Sequence, residues 1–384
     1  MRYKTAALLA AILFLLPATA YAESKDAQPL GVRVDVFVNG QKLRGQCGLA
    51  GDTTYTPLEE LAQALGAEFE LDGEKLSIKR GDAFIRASLG STDVATSSGH
   101  SSAPAPFALG ETIYIPLRFT VEALGDCVAY SAIDPFLDGR VRLQPQAYVG
   151  SSNPVSLKSG AKVHTTYVQG KRESKVTGQT ASIFRMIPVF SDLESTSLLD
   201  KANALFSARL DASKKEFEAE LQGLDFNSTS LEALSPPYTY ESSSFYRIYE
   251  PLPNCIESLS LDYVYSGGAH GIESLRSAVL DLEGEKVLTL YELFKDPVAC
   301  KAILLEDIAE VAANGGSYYD AVQGVTVELL DKANEERNFF LTEDAVVVYF
   351  QPYEIAPYAA GVVKFPITLK ELADDLMDRF MAEE

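Results

Sequence analysis

The residues best suited to chemistry lie in the stretch Leu261-Asp262-Tyr263-Val264-Tyr265-Ser266-Gly267-Gly268-Ala269-His270-Gly271, where an alternating strand runs into three glycines around a histidine. Glycine tolerates positive φ and lets another group approach the backbone closely. Gly267, Gly268 and Gly271 therefore mark a sharp, exposed bend, with Tyr263, Tyr265 and His270 held beside it. A histidine there can serve as a general base or ligand, contact a partner, or latch the bend through backbone hydrogen bonds. A second stretch, Gln351-Pro352-Tyr353-Glu354-Ile355-Ala356-Pro357-Tyr358, offers two tyrosines and a carboxylate on a proline-shaped chain. One reading groups His270, Asp262 and Glu354 as an acid–base set. Another takes Tyr265, Gly267, Gly268, His270, Tyr353, Glu354 and Tyr358 as candidates for a partner-binding surface. The third, and the favoured one residue by residue, is structural: His270 latches the bend, and Tyr353 and Tyr358 are partly buried on a chain shaped by Pro352 and Pro357.

The remaining inventory supplies little catalytic machinery. The histidines His100, His164 and His270 are far apart in the chain and form no H-x-x-x-H pair. There is no G-x-S-x-G elbow, and neither a Walker loop nor a G-x-G-x-x-G turn. No catalytic residue, metal or cofactor is expected. Cys47, Cys127, Cys255 and Cys300 include no C-x-x-C spacing, so neither a redox dithiol nor a zinc knuckle is suggested. Of the three connectivities open to four cysteines, the expected one stays within each half, Cys47–Cys127 and Cys255–Cys300. Four buried free thiols are the alternative.

Arg2 and Lys4 precede an apolar run from Ala6 to Leu16, then Pro17 and Ala20-Tyr21-Ala22. The run is short for a membrane span, which needs roughly 20 residues, and the pattern is that of a cleavable signal peptide at 1–22. An uncleaved anchor is the alternative. The mature chain is expected to be secreted or held at the cell envelope, extracytoplasmic, with no membrane span after cleavage. The 384 residues carry 33 Lys and Arg against 54 Asp and Glu, a net charge of −21. Such a chain repels nucleic acid and anionic lipid; the charge serves the solubility of a secreted protein as the favoured reading, and suits a basic partner as the alternative. At 47% hydrophobic, with 19 Tyr and 19 Phe, it has the composition of globular domains with real cores.

Asn39-Gly40, between the alternating Val32–Val38 run and Lys42-Leu43, signals a hairpin. An internal repeat follows. Tyr55-Thr56-Pro57-Leu58 recurs as Tyr114-Ile115-Pro116-Leu117, and Ala64-Leu65-Gly66 recurs as Ala123-Leu124-Gly125. Each copy reads as a short strand and a helix opened by proline and stopped by glycine; Thr56 and Glu59 suggest a capping box in the first. Strand–turn–strand signals follow at Asp72-Gly73 and Asp138-Gly139, and 96–106 reads as a loose loop. Residues 146–159, rich in Gly, Ser and Pro, read as the linker. Beyond it lie strands at 161–168 and 180–188 and a helix at 197–221 with Leu198, Leu205, Leu210, Phe217 and Leu221 on its core face. Further strands are expected at 238–249, 257–265, 277–282, 346–350 and 362–367. Helices are expected after Asp296-Pro297 and after Thr368, where Glu371 completes a capping box. The fold class is α+β: a small repeated strand-helix-strand-strand domain at 31–145 and a larger α+β domain at 160–384.

The duplicated Tyr-x-Pro-Leu and Leu-Gly motifs resemble the copper amine oxidase N-terminal-like, or stalk, domain common in secreted proteins of Gram-positive bacteria. That resemblance implies a spacer or envelope module rather than a copper centre; His100 is the one histidine in the region. Three motifs in the second half are Tyr265 to Gly271, Asp281 to Phe294 and Phe350 to Gly361. They resemble the extracellular domain of RsiV-like anti-sigma factors and the N-terminal domain of PdaC-type peptidoglycan deacetylases. This resemblance implies an envelope domain, and in RsiV-like proteins one that binds lysozyme. The expected function is a secreted, non-enzymatic cell-envelope binding protein, its partner lysozyme or another basic protein, or a cell-wall glycan. A cell-wall polysaccharide-modifying enzyme or accessory subunit, and a structural spacer, are the alternatives.

Overall fold

A computed structural model of the chain describes residues 30–133, 143–174, 178–223, 239–316, 319, 320 and 322–381. The expected signal peptide at 1–22 and the Asp138-Gly139 turn lie outside the described residues. The chain divides into two compact units. One holds the described residues to Val155 together with His164–Thr166, and the other holds Ser156–Val163 and the chain from Tyr167.

The N-terminal unit opens with β1 (Asp35–Val38) and β2 (Gln41–Lys42). They form the expected hairpin, with Asn39 and Gly40 at φ 49° and 78° in its turn. β3 (Gly48–Ala50) and β4 (Thr53–Pro57) lead into α1 (Leu58–Leu65), which buries Leu58, Leu61, Ala62 and Leu65. β5 (Glu68–Asp72), β6 (Lys75–Arg80), β7 (Ala83–Ser88), β8 (Asp93–Thr96) and β9 (Gly99–Ser102) make a five-stranded meander. β10 (Phe107–Leu109), β11 (Thr112–Pro116), α2 (Leu117–Ala123), β12 (Cys127–Ile133) and β13 (Leu143–Gly150) complete the unit.

The repeat folds against itself. β4 and β11 pair antiparallel, with Tyr55 opposite Pro116, Thr56 opposite Ile115 and Pro57 opposite Tyr114. The Phe107 ring lies 4.9 Å from that of Tyr55 and 5.5 Å from that of Tyr114, so one phenylalanine packs both repeat tyrosines. This pairing overturns the Thr56–Glu59 capping box. Thr56 is extended and fully buried in the sheet, Pro57 takes the N-cap position, and no side chain caps α1. Glu60 instead accepts the backbone N–H groups of Arg44 and Gly45.

Three other expectations change. Residues 96–102 of the supposed loose loop form the β8–β9 turn and strand. Thr96 Oγ1 donates to the Gly99 carbonyl and accepts from the Ser98 N–H, and β9 is exposed throughout, so no hydrophobic alternation announces it. Residues 146–150 of the compositional linker are the buried end of β13, which runs parallel to β1 from Gln146 opposite Asp35 to Val149 opposite Val38. All four cysteines are free and buried. The Cys47–Cys127 and Cys255–Cys300 bridges do not form, and three of the thiols have carbonyl partners of their own. Cys47 Sγ faces the Gly45 oxygen, Cys127 Sγ that of Gly150 and Cys300 Sγ that of Pro297.

Arg80, at the end of β6, joins the two copies. Its guanidinium pairs with Asp126, whose side chain is almost fully buried, and donates to the carbonyls of Leu65 and Leu124 and to Ser151 Oγ. Leu65 and Leu124 are equivalent positions of the repeat, so one cation meets the carbonyl ends of both helices, where positive charge is favourable. Arg80→Ala leaves Asp126 buried without its counter-ion and is expected to destabilise the N-terminal unit by about 2–4 kcal/mol in urea unfolding.

The C-terminal unit is built on a seven-stranded sheet. Its strands are β14 (Val155–Ser156), β15 (Lys162–Glu173), β16 (Thr180–Ser191), β17 (Thr239–Tyr249), β18 (Cys255–Ser266), β19 (Ile272–Asp281) and β20 (Lys286–Val287), in that spatial order. β16 and β17 are parallel; α3 (Thr196–Gly223) lies between them in the chain, as a parallel crossover requires. The face α3 buries is Leu198, Ala202, Phe206, Leu210 and Ser213, so Phe206 takes the place expected of Leu205. Next come α4 (Cys300–Asn314), α5 (Val327–Glu336) and a three-stranded sheet of β21 (Phe339–Leu341), β22 (Ala345–Phe350) and β23 (Val363–Thr368). α4 starts later than Asp296-Pro297 suggested, because Asp296 Oδ1 accepts from Val298 and Ala299 in a preceding turn. After β23 the Thr368–Glu371 capping box does form. The expected terminal helix does not. Lys295 N–H bonds to the Asp375 carbonyl and Met377 N–H to that of Leu293, which draws the chain alongside 293–295 while Leu372, Leu376 and Phe380 stay buried.

Between the two sheets sits Glu257, fully buried, accepting from Ser277 Oγ and the Leu341 N–H. Burial pushes its carboxyl from 4.5 up to about 8, against the pull of those donors. The folded unit thus holds a proton that the unfolded chain releases, and stability falls as pH rises across that window. Glu257→Gln removes the titration. Relative to the native chain, its stability is expected to rise by about 2–4 kcal/mol between pH 5 and pH 9 in thermal melts.

Candidate functional site

β18 and β19 form a long hairpin in register from Cys255 opposite Asp281 to Val264 opposite Ile272. Its tip is the glycine bend. Gly267 and Gly268 have φ 87° and 94°, and Tyr265 Oη donates to the Gly268 carbonyl at 3.0 Å, closing the loop. Gly271 is needed for space: a Cβ there would lie 2.4–2.6 Å from atoms of the Tyr263 ring.

The 351–358 segment meets this tip. Gln351 Nε2 donates to the Leu275 carbonyl at 2.7 Å, and its Oε1 accepts the Leu275 N–H at 3.1 Å, so one amide satisfies both backbone groups of a β19 residue. Tyr358 Oη donates to the Gly271 carbonyl at 2.6 Å. The Tyr358 ring stacks on His270, with centroids 3.7 Å apart and planes at 13°. His270 Nδ1 lies 3.1 Å from the Gly271 oxygen. A carbonyl only accepts, so Nδ1 carries the proton and Nε2 is left on the exposed edge. His270 therefore latches the bend, and it is exposed enough to meet a partner as well.

Tyr353 stands out. The turn Gln351–Glu354 closes through Glu354 N–H to the Gln351 carbonyl, and Tyr353 occupies it at φ 75°. Glycine or asparagine is the usual choice at such a position. The side chain is 59% exposed and its ring lies 5.6 Å from that of Tyr358. A bulky residue in a strained backbone conformation, with its ring in solvent, is the kind of outlier that clusters at functional sites. Glu354 is engaged otherwise. It accepts the Gln351 N–H and pairs with Lys332, whose ammonium is raised first by that hydrogen bond. Asp262 is paired with Arg185 at 3.1 Å and Arg276 at 2.8 Å. Burial works to raise its carboxyl, but the two guanidiniums outweigh it and hold it below the usual range. On β18, Asp262 alternates with Tyr263 and so points to the opposite face of the sheet.

The pairing also brings in residues that the one-dimensional pattern did not single out. Glu241 of β17 lies opposite Tyr265, and Glu273 of β19 lies opposite Tyr263. Burial raises both carboxyls, with Lys364 opposing the shift at Glu273. Burial also pushes the Tyr263 hydroxyl up to about 12, with Glu241, Tyr358, Glu273 and Tyr265 adding to it. The result is a patch of four tyrosines, a histidine and two glutamates at one end of the sheet. Of the seven residues chosen as a binding surface, all but Glu354 contribute a ring, an exposed edge or the bend itself. Among the described residues, no cluster of three or more His, Cys, Asp or Glu side chains is arranged to hold a metal ion, and no helix is long and apolar enough to cross a membrane.

Residues 37–135 match the family described as the Copper amine oxidase N-terminal domain, and residues 292–370 match the family described as Protein of unknown function (DUF3298). The second match contains Tyr353 and Tyr358 and stops short of the glycine bend. No curated protein matches the chain. Solved structures similar to it include two DUF3298 proteins. A DUF3298 family member from Bacteroides fragilis is 17% identical with a TM-score of 0.40, over 58% of this chain and 96% of that one. A DUF3298 family protein from Pseudomonas aeruginosa PAO1 is 17% identical with a TM-score of 0.36, over 58% and 98%. The chain thus carries a copper amine oxidase N-terminal domain followed by a DUF3298 domain.

The strain at residue 353 is directly testable. Tyr353→Gly relieves it and is expected to raise stability by about 1 kcal/mol in chemical denaturation, since an αL backbone costs a non-glycine residue roughly that much. A loss of stability would show that the exposed ring contributes more to the fold than the backbone costs.

Proposed function

We propose that the protein is an extracytoplasmic, non-enzymatic binding protein of the cell envelope, and that the tyrosine-rich patch at the β18–β19 tip is its binding surface. The observation that carries this reading is the exposed Tyr353 ring at φ 75°, joined through Tyr358 and His270 to the glycine bend. Aromatic side chains with polar tips are the residues that dominate binding hot spots. The adjacent Glu241 and Glu273, and a net charge of −21 on the whole chain, suit a basic protein such as lysozyme. The resemblance of the three C-terminal motifs to RsiV-like and PdaC-type envelope domains supports the same partner, or a cell-wall glycan. The signal-peptide pattern supports secretion, and the resemblance to stalk domains supports a Gram-positive envelope with the N-terminal unit as spacer.

Calorimetry of the full chain with lysozyme and with purified peptidoglycan tests this. Binding to one of them is expected, weakened at least tenfold by Tyr353→Ala and by Tyr358→Ala. Failure to bind either ligand, or binding indifferent to both substitutions, would overturn the assignment.

A further inference from the structure

The five-stranded meander of the N-terminal unit carries a second surface of different chemistry. Its core face buries Leu76, Ile78, Ile85 and Val94. Its other face lines an open cleft of about 370 Å3, within the range of small-ligand sites (about 300–1,000 Å3). Strand register puts one residue from every strand in a single row across this face: Glu70 opposite Ser77, Ser77 opposite Arg86, Arg86 opposite Ala95 and Ala95 opposite His100. A neighbouring row sets Asp72 opposite Lys75 and Lys75 opposite Ser88. The cleft therefore runs from carboxylates on β5 through cations on β6 and β7 to Asp93 on β8 and His100 on β9.

These charges do not satisfy one another. Among the described residues, Glu70, Asp72, Lys75 and Arg86 form no ion pair, although acid and base stand on adjacent strands. Arg86 instead lies over the Phe84 ring at 4.9 Å, which orients the guanidinium without neutralising it. The one ring lining the cleft is the small imidazole of His100, with no Trp, Tyr or Phe to give the broad stacking platform that a sugar ring uses. Its lining instead suits a ligand that carries both charges.

We propose that this cleft binds a short zwitterionic peptide of about three residues, lying across the strands with its ammonium at Glu70 and its carboxylate at Arg86. The spacing fits. Glu70 and Arg86 are two strands apart, about 9.5 Å at ordinary strand separation, and an extended tripeptide spans about 10 Å. Each terminus meets one unpaired side chain of opposite sign; Asp72 and Lys75 extend these signs on the next row, and Asp93 on β8 bounds the cleft beyond the cations. This site is independent of the tyrosine patch in the C-terminal unit.

The test is calorimetry or chemical-shift titration of the full chain with trialanine and with N-acetyl-trialanine amide. Trialanine is expected to bind, and the capped peptide to bind at least tenfold more weakly. Glu70→Gln and Arg86→Gln should each weaken trialanine about tenfold or more, since each removes the charged hydrogen-bond partner of one terminus. Tyr353→Ala should leave it unchanged. The inference is overturned if trialanine does not bind at millimolar concentration, if the capped peptide binds equally well, or if neither cleft substitution weakens binding. Binding of chitotriose in place of trialanine would overturn it in favour of a saccharide site.

Discussion

The arrangement at the end of the C-terminal sheet hangs on what two side chains of the 351–358 segment do to the backbone of β19. Gln351 bonds to both polar groups of Leu275, and Tyr358 bonds to the Gly271 carbonyl. A hairpin as long as β18–β19 would otherwise end in a loop free to fray. With these bonds the tip is pinned from outside its own sheet, by a segment some eighty residues further along the chain. The stacked His270 ring and the absence of a side chain at Gly271 follow from the same constraint, because both are what allow Tyr263 and Tyr358 to close on the bend.

Away from the tip, the same unit tolerates a buried carboxyl. Glu257 faces donors that favour its charge and an interior that opposes it, and the interior prevails. Asp262, on the same strand, has the reverse balance, because two arginines reach it. A few residues apart, two carboxyls are thus held in opposite protonation states by their neighbours. Asp262 is locked as a structural anion, which takes it out of any acid–base role with His270.

Much of this could be read from the chain before the structure. Local signals held up where the physics is local: the Asn39-Gly40 turn, the Gly66 helix stop at φ 63°, and the long strands of the C-terminal sheet. Local signals failed where distant backbone intervened. The Thr368–Glu371 box formed and yet no helix followed, because 293–295 claimed the backbone groups that would have continued it. Thr56 could not cap α1 because it lies in β4, opposite Ile115 of the second copy. α5 has a local signal of its own in Thr326, whose side chain accepts the Leu329 N–H at its N-cap, but no apolar run or glycine stop frames it. At the site, the bend and the tyrosines were visible as motifs. Glu241 and Glu273 were not, since only the pairing of β17, β18 and β19 sets them beside Tyr265 and Tyr263.

The self-pairing of the repeat has a further meaning. With Thr56 opposite Ile115 at its centre, and tyrosine facing proline on either side, the β4–β11 pair has the geometry of a two-fold interface between identical chains. The N-terminal unit is in effect a dimer written into one polypeptide. A single chain makes the two halves permanent neighbours, and it does not hold them identical. Arg80 belongs to the first copy alone yet serves the helix ends of both. Two identical chains related by such an axis would bring two copies of any cation placed to meet both helix ends; in a single chain one cation suffices.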